Sequence, residues 1–142
     1  MTDASDGGPL GAASPPGVVH RRSPHSVADT LAALESAISE LPASVFGVVD
    51  HSGEAERVGL TLRDTKLVIF GNPRGGTPAM VAAPTLALDL PLKVLVWADD
   101  GGAVWMTYLD PAWLAARHGV DPERAPPLSA AERVTASVAA GG

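Results

Sequence analysis

Cysteine is absent from the 142 residues. That excludes disulfides, thiolate nucleophiles and cysteine-ligated zinc or iron–sulfur centres. No apolar run approaches the roughly 20 residues needed to span a bilayer. Nor does an apolar stretch follow a basic start, as it would in a secretory signal. The expectation is a soluble cytoplasmic protein with no membrane partner. Basic stripes are missing too. The formal net charge is −6, and residues 26–120 hold 11 acids against 6 bases. Without clustered Lys and Arg there is little to neutralise phosphates, which argues against nucleic acid. Strong chemical signatures are lacking as well: there is no Walker loop, no GxSxG, no HExxH and no pair of histidines at metal-ligand spacing. No metal site is expected.

The length suits one domain. Residues 1–24 are mostly Gly, Pro, Ala and Ser. Such a stretch offers little apolar surface to offset the entropy of ordering it, so it reads as a disordered tail. Residues 25–142 read as a single α+β domain. Val27, Leu31, Leu34, Ile38 and Leu41 recur at steps of three and four, one face of a helix. Ser26 and Asp29 supply its capping pattern, and Pro42 ends it. Strands are expected at 45–50, 66–70, 93–98 and 103–109, with a short helix or turn at 53–60. Asp99-Asp100-Gly101-Gly102 links the last two strands as a hairpin, and Trp97 and Trp105 are placed to pair across it. Thr77-Pro78 reads as the start of a short helix, Asp110-Pro111 caps another, and Ser129 with Glu132 opens a last one. This order predicts a small, mostly antiparallel sheet of about four strands with helices packed on one face.

Few residues could carry chemistry. His51 follows Asp50 at a strand exit, where it could be a general acid/base or a ligand. The loop Gly71-Asn72-Pro73-Arg74-Gly75-Gly76-Thr77 lies between a strand and a helix, and its free N–H groups could hold an anion. It lacks the Lys-Ser/Thr of a phosphate loop, so a turn is the plainer reading. Asn72 precedes proline and is therefore expected to be extended. His118 sits in the last turn of a helix, where a cation suits the dipole. His20 and His25 lie in or beside the tail and carry no expected role. Met80 and His51 form a His/Met pair that could ligate haem only if they converge.

The runs VDH (49–51), VGLTLRDTKLVIFGNPRGGTPAM (58–80), APTLALDLPLKVLVW (83–97) and YLDPAWLAARHG (108–119) resemble the bacterial domain of unknown function 302 family. The resemblance spans about residues 26–140. It implies a compact α+β fold with a curved sheet and a homodimer. It implies no reaction. Asp64, where the family pattern more often has proline, and the long N-terminal tail depart from the pattern. The matching polar positions at strand ends and loops nominate His51, Asn72, Thr77 and Tyr108 as ligand-binding residues. Three functions stand open: a homodimer that binds a small molecule in a polar pocket around His51 and Asn72, an enzyme using His51 as acid/base, and a haem protein with His51 as axial ligand. The first two require Asn72 and His51 to share one edge of the sheet.

Overall fold

The computed structural model describes residues 8–141. Five strands and five α-helices follow in the order β1 (Val18–Arg22), α1 (Val27–Ser39), β2 (Ser44–Asp50), α2 (His51–Arg57), β3 (Thr65–Gly71), α3 (Pro73–Ala82), β4 (Leu92–Ala98), β5 (Val104–Leu109), α4 (Pro111–Arg117) and α5 (Ala130–Ala139). The strands form one antiparallel sheet, ordered β1-β5-β4-β3-β2. This is the α+β fold expected, with one more strand.

The extra strand corrects the reading of the tail. Residues 18–22 pair in register with β5, from Val18 opposite Leu109 to Arg22 opposite Trp105. A short 3₁₀ turn at Gly11–Ala13 precedes them. The tail reading at residues 1–7 lies outside the described residues. Composition suggested disorder because Gly and Pro flank the segment. The strand exists because β5 supplies an edge for VVHRR and because Ser14 and Thr107 meet the ring of His20 and Tyr108 meets the guanidinium of Arg21.

Helices α1 and α5 pack against each other and cover one face of the sheet. Period-two alternation sends Val68 and Phe70 of β3, Val94 and Val96 of β4, and Met106 and Tyr108 of β5 into this layer. Val27, Leu34 and Ile38 come down from α1, and Val134 and Val138 from α5. A buried hydroxyl pair, Ser23 with Thr30 at 2.6 Å, ties the exit of β1 to α1. The opposite face carries Val49, Leu67, Ile69, Leu95 and Trp97, half-buried and outside this core.

A second, smaller core lies beyond one end of the sheet. Ala79 of α3, Leu86, Leu114 and Ala115 of α4, Ala125 and Leu128 form it. His118 braces this layer. Its Nε2 bonds Asp89, its Nδ1 lies 2.9 Å from Thr85 Oγ1, and Arg117 Nε donates to the same Asp89 carboxylate. His118, then Arg117, hold the Asp89 carboxyl below its ordinary pKa. The structural role expected of His118 is thus a tie between α4 and the turn at residues 84–88.

Local boundaries differ from expectation in two places. Thr77-Pro78 does not begin a helix. Asn72 caps α3 instead, five residues earlier, and Pro78 lies inside it. Ser129 makes no capping bond to α5; its Oγ donates to the Pro126 carbonyl. The Ser26 cap of α1 and the Asp110 cap of α4 are as expected.

Candidate functional site

Strand β3 ends at Gly71, and Asn72 turns the chain into α3. Its backbone is extended (φ −135°, ψ 109°), as a residue before proline should be. The side chain Oδ1 accepts the Arg74 N–H at 3.1 Å. The backbone carbonyl accepts from Gly75 and Gly76. One residue therefore ends the strand and opens the helix. Its Nδ2 has no hydrogen-bond partner among the described residues. Gly75 then lets α3 approach the turn at residues 126–129: a Cβ there would stand 2.6 Å from Pro127 Cγ. The turn at 89–91 is closed by Lys93, whose Nζ donates to the Asp89 and Pro91 carbonyls. The Leu90–Pro91 bond within it is cis.

These elements enclose a half-open cavity of about 540 Å³ at the seam between the two cores. Phe46, Phe70, Met80, Leu90, Leu92 and Leu128 make much of its wall. The polar side chains around it are few: Asn72, Thr77, Ser129 and Arg133. A predominantly apolar concavity with a few placed polar groups is the usual form of a small-molecule site.

The expected site residues divide between this cavity and other places. Asn72 and Thr77 line it, and so does Met80. His51 does not. It is the exposed first residue of α2, at the far end of the sheet. Strands β2 and β3 are antiparallel, with Ser44 opposite Gly71 and Asp50 opposite Lys66. Their exits therefore point to opposite edges, about 20 Å apart at some 3.3 Å per residue. The shared pocket of His51 and Asn72 is not formed, and the His51/Met80 pair does not converge. Around His51 the geometry serves the helix start. Asp50 Oδ1 accepts the Gly53 N–H at 2.9 Å, the Lys66 ammonium at 3.0 Å and the Ser52 hydroxyl at 2.8 Å. These bonds, the Gly53 one first, lower the Asp50 pKa to about 2.

Tyr108 is also away from the cavity. It is buried on the helix-covered face, where its hydroxyl accepts from Arg21 Nη2 at 2.9 Å and the guanidinium lies 6.0 Å from the ring centroid. His20, given no role by the sequence, is buried on the other face. Its Nε2 lies 2.9 Å from Ser14 Oγ and its Nδ1 lies 2.8 Å from Thr107 Oγ1. Trp97 Nε1 donates to the same Thr107 oxygen at 2.8 Å. Burial depresses the His20 pKa below its ordinary value. Sequence reasoning also missed Arg133 at the cavity. An arginine on an amphipathic helix gives no signal beyond a solvated face.

The crystal structure of an uncharacterized conserved protein DUF302 from Bacillus stearothermophilus superposes with a TM-score of 0.73 at 15% identity. The match covers 89% of this chain and 98% of that one. At that identity the likeness establishes the fold alone. Among curated proteins, the chain is 45% identical over 104 residues to a Brucella suis protein named fluoride-specific ion channel FluC 1. A Brucella abortus protein of the same name matches at the same identity. The alignments take 73% of this chain but only 41% and 38% of those proteins. This chain thus spans about two fifths of the curated relatives it matches. The family model described as domain of unknown function DUF302 matches residues 19–139, from within β1 to the end of α5, and the chain belongs to that family.

Proposed function

We propose that this protein binds a small, mainly apolar molecule in the cavity beneath α3. The observation that carries the reading is a cavity of about 540 Å³ with an apolar wall and, at its edge, an Asn72 amide whose Nδ2 meets no protein acceptor among the described residues. That volume lies within the range of drug-sized ligand sites, roughly 300–1,000 Å³. The ion-channel activity in the names of the Brucella relatives is not part of this proposal. The match covers a minor share of their length, and among the described residues no helix is long and apolar enough to cross a membrane. Enzyme and haem readings built on His51 have no support from a histidine that stands outside the cavity.

The test is titration with N-phenyl-1-naphthylamine, a neutral apolar probe that fluoresces when it leaves water. Saturable binding at one site per chain is expected. Gly76 offers the blocking position: a Cβ there would meet Leu90 Cδ1 and Met80 Cε, both at 3.8 Å and both on the cavity wall. Gly76→Leu should therefore weaken the probe at least tenfold while the far-UV circular dichroism stays unchanged. Undiminished binding in a folded Gly76→Leu protein would remove the cavity as the site.

We also propose that two copies pair through the open face of the sheet. Val49, Leu67, Ile69 and Leu95 lie there half-buried, outside both cores. A face of that kind gains by being covered.

A further inference from the structure

We infer that the ligand is an amphipathic monoanion, an apolar chain or ring ending in a single carboxylate. The inference rests on the cavity reading above and names the class of molecule it takes. The charge at the cavity is the first reason. The chain has 16 acidic residues and 10 basic ones, yet the residues around the cavity include one base, Arg133, and no acid.

The state of Arg133 is the second reason. Arg57, Arg63, Lys66 and Arg117 each hold a carboxylate. Lys93 bonds two carbonyls and Arg21 bonds Tyr108. The side chains of Arg22, Arg74, Arg124 and Arg133 form no ion pair or hydrogen bond with any described residue, and of these four Arg133 is the one that lines the cavity. Its own helix cannot neutralise it, because the positions three and four residues away are Ser129, Ala130, Ala136 and Ser137. A guanidinium presents a planar fork of donors that matches the two oxygens of a carboxylate. Asn72 Nδ2 adds a neutral donor at the same cavity. Ser129 is already committed to the Pro126 carbonyl.

The remaining wall sets the body of the ligand. Apart from Asn72, Thr77, Ser129 and Arg133, the side chains lining the cavity are apolar. A second charge would be desolvated there without a partner. At about 30 Å³ per water-sized group, the volume holds roughly 18 non-hydrogen atoms. A saturated acid of about ten carbons fits with space to spare.

The test is displacement of N-phenyl-1-naphthylamine by three molecules of one chain length: decanoate, decanol and decylamine. Decanoate should displace the probe at concentrations at least tenfold below the other two. Arg133→Gln should erase that advantage, decanoate and decanol then displacing the probe at equal concentrations. Arg133→Lys should keep part of it. Asn72→Asp retains the acceptor that caps α3 but removes the donor and adds a negative charge, so it should weaken decanoate more than decanol. If decanoate and decanol compete equally, or if Arg133→Gln leaves the preference intact, the carboxylate assignment is wrong while the cavity stands. If the probe and decanoate both fail to bind the parent protein, the cavity reading falls with it.

Discussion

Replacing Gly17 by alanine tests the docking of the N-terminal arm. Gly17 immediately precedes β1 and has φ +79°. Its carbonyl accepts the Asp110 N–H at 2.8 Å, which joins the arm to the start of α4. A Cβ at this position would stand 2.2 Å from Trp113 Cδ2, 2.6 Å from Cγ and 2.7 Å from Cε2. Those atoms belong to one rigid ring, so no single rotamer change of a flexible tip relieves the overlap. Two costs add. The left-handed backbone costs an L-residue about 1–2 kcal/mol. Moving the indole is an overpacking defect of about 1–3 kcal/mol. Gly102 separates them, because it has φ +84° and a Cβ added to it would meet nothing within 4 Å. Gly102→Ala should therefore show the backbone cost alone. Urea unfolding followed by tryptophan fluorescence measures both, with linear extrapolation and a check that the slopes agree. Gly17→Ala should lose about 1–3 kcal/mol more than Gly102→Ala. Equal losses would mean that the arm does not pack on Trp113.

Three other outcomes are expected. Unfolded His20 takes up a proton near its ordinary pKa of 6.5, whereas the buried ring does so only at lower pH, so the unfolded state binds more protons below 6.5 and stability falls as pH drops from 7 towards 5. His20→Gln should flatten that part of the profile, and parallel wild-type and variant curves would refute the assignment. Gly76→Ala, in a helix interior with only ordinary contacts at 3.8 Å, should stabilise the fold by about 0.4–1 kcal/mol in the same urea assay. Light scattering should give about twice the 14.4 kDa chain mass, and Leu95→Glu should return the single-chain value; a wild-type protein of single-chain mass at every concentration would exclude the dimer.

The parts of the fold that were legible are those fixed locally. Val27, Leu34 and Ile38 repeat with helical spacing and are buried. The KLVIF and KVLVW runs sit in the sheet, and the Asp99–Gly102 link makes the hairpin that sets Trp97 opposite Trp105. What was illegible depended on distant partners. The VVHRR segment is short and flanked by Gly and Pro, and only β5 makes it a strand. The error over His51 and Asn72 was one of strand direction. The 14 residues between β2 and β3, including a two-turn helix, are long enough for a parallel crossover as well as a reversal. Only the observed pairing shows which occurs. Asn72 was legible as an extended residue before proline and Thr77 as its neighbour on the same loop. The wall around them comes from residues 41–46 and 125–133, which are far away in sequence.

The position of β1 also bears on the order in which the molecule comes together. Arg21 and Tyr108 touch across a separation of 87 residues, as do His20 and Thr107. Of the five described strands the first is therefore held by the last, and it must wait until β5 has been made. The β3–β4 and β4–β5 pairs close much shorter loops and carry less entropic cost. Meanwhile β5 offers an unpaired edge, with Trp105 and Tyr108 along it, to any other extended segment nearby. The N-terminal strand acts as the latch that ends this exposure, so a chain shortened past Arg22 would keep that edge open for good.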